Sequence, residues 1–213
     1  MLIPDLSQTI SKKDYASAIR RIRQVMKIAF LIGICTAVIC QCIPDSLGIM
    51  FFGRDDLGQM IKISSLCMPV VFVSSTMYGI LNGLDKQNVI LRNTIIIEIL
   101  EITCLFIFTG IPSINVYGYV ITMLITSSLS LSLNLYEIYK TIDLNISIVN
   151  IIIYLLIGVL CYICFNMLSL RLTFLDYRIH VLVITLCSIL VFASIILSGR
   201  LKSMFRKNSY RAR

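Results

Sequence analysis

Residues 102–136 contain no charged side chain. A soluble helix needs a polar face, so a stretch of that length cannot be one. It is also too long for one crossing of a hydrocarbon core of about 30 Å, which takes about 20 helical residues. It reads as two membrane spans joined by a tight turn, with Gly110, Pro112 and Asn115 supplying the break. The rest of the chain agrees. Of its 213 residues 58% are hydrophobic and 14% charged, more apolar surface than a soluble domain of this size can bury.

The hydropathy pattern predicts an all-α, polytopic transmembrane helical bundle of six spans. They fall at about residues 28–50, 63–84, 94–111, 116–136, 146–168 and 179–199. Pro44 removes a backbone donor and should bend the first. Before it, Ser11-Lys12-Lys13-Asp14 has the pattern of a capping box, followed by Tyr15, Ile19, Ile22 and Met26 at helical spacing. With Arg20, Arg21, Arg23 and Lys27 on the other side, this segment reads either as a basic amphipathic helix on an anionic leaflet or as a solvated linker helix. No signal-peptide pattern opens the chain: Met1-Leu2-Ile3-Pro4 leads into polar sequence.

The net charge of +8 does not point to nucleic acid, because the basic residues sit at the two ends and in the short loops. Fifteen Lys and Arg fall in the N-terminal segment, the tail and the loops after the second and fourth spans. Four, Arg54, Lys62, Arg171 and Arg178, fall on the other side. The positive-inside rule then places both termini in the cytoplasm, as an even number of spans requires, and the expected site is the plasma membrane. Membrane lipid is the first expected partner.

Catalytic and cofactor chemistry is thinly provided for. Seven of the eight cysteines (Cys35, Cys40, Cys67, Cys104, Cys161, Cys164 and Cys187) lie in apolar runs and read as reduced, buried hydrophobes. Cys161 and Cys164 have redox-motif spacing but sit in the middle of a span. His180 is the single histidine, and no phosphate-binding glycine loop occurs. No enzyme, metal or cofactor is expected.

Three sets of residues stand out. Glu98 and Glu101 are the acidic residues within a span, and a helix entering the hydrocarbon at Arg92 would carry them about 9 and 14 Å deep at 1.5 Å per residue. With Thr94 and Thr109 they share one helical face. Such carboxylates line a polar cavity or an ion-responsive site, or form a structural pair neutralised by Arg92 or by protonation. The other two sets are small-residue stripes: Ser75, Gly79 and Gly83, and Gly118, Thr122, Thr126, Ser130 and Asn134. Small residues at four-residue intervals let helices approach closely, so packing is expected of both.

The chain also resembles a known family. The carrying segments are Ile3-Pro4-Asp5-Leu6-Ser7, the basic helix, Leu81-Asn82-Gly83-Leu84-Asp85-Lys86-Gln87, Arg92-Asn93, Ile111-Pro112, Tyr117-Gly118 and Asn134-Leu135-Tyr136-Glu137, in that order. Over about residues 2–140 it is similar to the polysaccharide-biosynthesis membrane proteins of the stage V sporulation protein B group, in the multidrug/oligosaccharidyl-lipid/polysaccharide exporter superfamily. The resemblance implies a two-lobed transporter of roughly fourteen helices that moves lipid-linked saccharide by alternating access. Residues 1–140 would be part of the second lobe, and 141–213 two appended spans and a basic tail. The chain would begin mid-lobe, with the first half missing or replaced by self-association, and would not transport alone. Glu101 stands where these proteins tend to have lysine, and Leu105 where asparagine is common, so no functional charge carries over. A packing-only or truncated membrane protein, and a cation-coupled drug antiporter of the same superfamily, are the alternatives.

Overall fold

The computed structural model describes residues 15–112, 114, 116–142, 148–172 and 176–211. Among these residues the regular secondary structure is all helical, without strands. The helices are α1 (Tyr15–Cys42), α2 (Pro44–Phe52), α3 (Gly58–Ser65), α4 (Met68–Gly83), α5 (Gln87–Thr109), α6 (Tyr117–Thr141), α7 (Ile148–Arg171) and α8 (Tyr177–Arg211). Four of them, α1, α6, α7 and α8, are long and apolar enough to cross a membrane. The bent pair α3–α4 makes a fifth if counted as one span. The segment Ile3–Ser7, the capping box at Ser11 to Asp14, and Asn115 lie outside the described residues.

Helix α1 is the mast of the bundle. Its 28 residues run about 42 Å at 1.5 Å per residue, longer than a hydrocarbon core. The basic segment continues into the apolar run with no break between them. Ala18 and Ile22 are fully buried against Val73, Met77, Ile80 and Leu81 of α4 and Ile138 of α6, while Arg20, Arg21 and Arg23 face outward. The amphipathic face expected for a leaflet surface therefore packs on helices over these turns. The second half of α1 builds another core. Leu31, Ile34, Cys35, Val38 and Cys42 pack with Phe165 of α7 and Val181, Ile184 and Phe192 of α8.

Two breaks follow from proline. The helix stops at Cys42 and restarts at Pro44, so the expected bend is a full interruption at Ile43, whose φ of −136° is not helical. The second expected span is broken too: α3 and α4 meet at 55°. Pro69 lies in the first turn of α4, where it cannot donate back to residue 65. The chain tightens there instead, with Leu66 and Cys67 N–H donating to Ile63 and Ser64 carbonyls at 3.2 and 3.1 Å. Gln41 of α1 covers this end, donating to the Lys62 carbonyl at 2.7 Å and to Ser65 Oγ at 3.0 Å.

The turn from α4 to α5 is a Schellman motif. Lys86 N–H reaches the Leu81 carbonyl at 3.0 Å and Asp85 N–H the Asn82 carbonyl at 3.1 Å. Asp85 holds the left-handed conformation at φ 58°, which a short polar side chain tolerates better than most.

Candidate functional site

A line of hydrogen-bonded polar side chains runs through the contact of α4, α5 and α6. Asn93 of α5, 1% exposed, donates its amide to Asn134 Oδ1 of α6 at 2.9 Å, and Asn134 is fully buried. Asn134 Nδ2 in turn points at Ser130 Oγ, 3.4 Å away and one turn earlier. Ser74 of α4 donates to the same oxygen at 2.9 Å, and the Tyr78 hydroxyl lies 3.0 Å from it. At the other end Arg92 contacts Asn93 Oδ1 at 3.3 Å and pairs with Glu137 of α6 at 2.5 Å.

The helix geometry explains the line. On α6, Gly118, Thr122, Thr126, Ser130 and Asn134 are all buried, one above another. The absence of a side chain at Gly118 lets the end of α5 close in, since a Cβ there would stand 2.7 Å from the Phe108 carbonyl carbon. Thr122 returns its hydroxyl to the Gly118 carbonyl at 2.8 Å, so the upper stripe is satisfied within its own helix. Ser130 and Asn134 are instead bonded across the contact. Without a hydrophobic drive between helices in lipid, close packing and such bonds hold them together.

The other sequence-predicted residues are placed differently. On α4 the stripe of Ser75, Gly79 and Gly83 is not a packing face along its length. Ser75 is exposed and a Cβ on Gly79 would meet nothing within 4 Å, although Gly83 is buried. The packed face runs one position earlier, through Ser74, Met77 and Leu81, because α4 turns its larger residues to α1 and Ser74 to α6. On α5 the buried residues are Asn93 and Ile97. Thr94 and Glu101 are half-buried at the edge of that face, Glu98 and Thr109 are exposed, and Arg92 is engaged with Glu137. Neither Glu98 nor Glu101 forms an ion pair or hydrogen bond among the described residues.

Sequence reasoning passed over Ser74, Tyr78, Asn93 and Glu137 as site residues. A signal for two of them was present: Arg92-Asn93 and Asn134-Leu135-Tyr136-Glu137 are the segments that meet here. A second polar contact was also missed. His180 Nε2 lies 3.1 Å from Ser169 Oγ, whose proton goes to the Cys42 carbonyl at 3.2 Å. A serine with one proton, used on a carbonyl, can only accept from the imidazole. The pair ties α7 and α8 to the end of α1 and is not arranged as a nucleophile and base.

Cys161 and Cys164 are free thiols, and no group of three His, Cys, Asp or Glu side chains that could hold a metal ion occurs among the described residues. Comparison with protein-family models, curated proteins and solved structures gives no match for this chain.

Proposed function

We propose that this chain is a six-span membrane protein forming second-lobe helices and an appended helix pair of a flippase-like exporter of lipid-linked saccharide, used in cell-envelope or spore-wall polysaccharide assembly. The six spans are α1, the bent pair α3–α4, α5, α6, α7 and α8. Helix α5 joins them by its length of 23 residues despite Arg92, Glu98 and Glu101. The observation that carries the reading is the meeting of two resemblance segments: Asn93 bonds Asn134, 41 residues on, and Arg92 pairs with Glu137, 45 residues on. Short motifs that contact each other are what a shared helix arrangement requires.

Alternating access needs two facing walls. On this reading the chain supplies one, and a first lobe or a second copy supplies the other. Ser75 and Asn82 of α4 and Glu98 of α5 are exposed within the chain, and they are assigned to the facing lobe or the cargo. A packing-only membrane protein is favoured by one feature: the line through Asn93 and Asn134 is bonded within the chain. The test is expression alone, and beside a matching first-lobe fragment, in cells lacking the transporter. Rescue of the envelope phenotype on co-expression alone supports the proposal. No rescue in either arm favours the packing-only reading, and rescue by this chain alone refutes the need for a partner lobe.

A further inference from the structure

The hydrogen-bond line between α4, α5 and α6 has a direction, and a cation sets it. Arg92 has donors and no acceptor, so the side-chain oxygen of Asn93 must face it. The Asn93 amide nitrogen therefore faces Asn134, which must present its oxygen, at 2.9 Å. That leaves the Asn134 nitrogen toward Ser130 Oγ. Ser130 already accepts from Ser74, so both its lone pairs are occupied. Its own proton has no back-bond to the preceding turn of the kind made by Thr122, Ser127 and Ser132. The remaining neighbour is the Tyr78 oxygen at 3.0 Å. By that count Tyr78 accepts, which leaves its own O–H without an acceptor among the described residues.

We propose that Tyr78 is the outward donor of this line and gives its hydrogen bond to a phosphate oxygen of an anionic lipid headgroup. Tyr78 lies five residues before the end of α4 at Gly83, about 8 Å along the axis, at the level where Ala18 and Ile22 of α1 pack on Met77 and Leu81. It is half-buried, and the space beside it over Gly79 is open. The exposed Arg20 and Arg23 stand on the same end of the bundle, because their neighbours Ala18 and Ile22 pack on Met77, Ile80 and Leu81. Basic residues at a cytoplasmic surface gather anionic headgroups. Arg92 acts as a positioning residue: without a donor-only group at its place, Asn93 and Asn134 can turn over, Ser130 can donate to Asn134, and the Tyr78 proton can turn inward. The inference rests on the cytoplasmic orientation expected from the Lys and Arg distribution and not on the export reading, so its failure leaves export open.

The experiment follows thermal stability of the purified chain in maltoside micelles as phosphatidic acid is added, with diacylglycerol and inorganic phosphate as parallel arms. Binding to the folded state raises Tm with ligand concentration, which yields an apparent affinity. Tyr78→Phe is expected to weaken phosphatidic acid about tenfold, the effect of one hydrogen bond to a charged acceptor. Removing Arg92 with its partner, as R92M/E137M, is expected to weaken it similarly, and adding Tyr78→Phe to that pair to cost nothing more. Arg92→Lys, also donor-only, is expected to keep near-native affinity, and it tests direction even where the paired variant does not fold. Unchanged affinity in Tyr78→Phe overturns the proposal. So does a further tenfold loss in the triple variant, an equal Tyr78-dependent response to diacylglycerol, or the same response to inorganic phosphate alone.

Discussion

Asn93 of α5 donates its amide to Asn134 of α6 at 2.9 Å, both side chains being buried where the two helices touch. Each is the other's partner, so removing one strands the second. Asn93→Ala is expected to lower stability by about 1–2 kcal/mol, the upper range for interhelical bonds in membranes. Replacing both by alanine leaves neither amide facing a missing partner and is expected to cost less than the sum of the two single alanine variants. Unfolding in mixed micelles measures this, and strict additivity would mean that the bond contributes nothing.

Gly118 and Gly79 make a matched pair of probes, one against a neighbour and one facing open space. A Cβ at Gly118 would stand 2.7 Å from the Phe108 backbone, which cannot swing aside. Gly118→Ala is expected to destabilise by about 1–3 kcal/mol through forced separation of α5 and α6. Gly79→Ala meets nothing within 4 Å and gains helix propensity, so it is expected to be neutral or stabilising by up to about 1 kcal/mol. The same unfolding measurement compares them, and equal effects would overturn the assigned contact.

The loop between α2 and α3 supplies a pH dependence. Arg54 donates to both carboxylate oxygens of Asp56, at 2.9 and 2.5 Å, and this side-chain hydrogen bonding holds the Asp56 pKa below its ordinary value. A depressed carboxylate contributes its stabilisation above the unfolded-state pKa and loses it as pH falls through the folded value. The loop is therefore expected to keep its form at neutral pH and loosen only in acid. In Arg54→Ala the Asp56 midpoint, followed by NMR on labelled aspartate, is expected to move up toward the usual range. An unmoved midpoint would show that another group sets it.

Orientation is tested by reporters. Fifteen Lys and Arg against four predict that both ends of the chain lie in the cytoplasm. Cytoplasmic reporters fused after Asp85 and at the C-terminus are expected to be active, and one near Asn115 silent. Activity at Asn115 would sink the six-span arrangement and the cytoplasmic side assigned to Tyr78 with it.

The all-helical class was legible in residue order, as were the apolar runs that form four helices long enough to cross a membrane, because a bilayer demands long apolar helices whatever they pack against. The four-residue stripe on α6 marks one face of that helix, and all five of its residues are buried. The similar stripe on α4 read the same way and is not packed along its length, since periodicity names a face but not which neighbour, if any, will meet it. Pro44 announced a bend, yet a complete break between α1 and α2, and the 55° corner between α3 and α4, depended on what covers the freed carbonyls. At the second corner that cover is Gln41, a residue of another helix. The pairings of Arg92 with Glu137 and Asn93 with Asn134 belong wholly to the tertiary structure. Four polar residues on two helices can bond in many ways, and only the register in which α5 and α6 pack selects one.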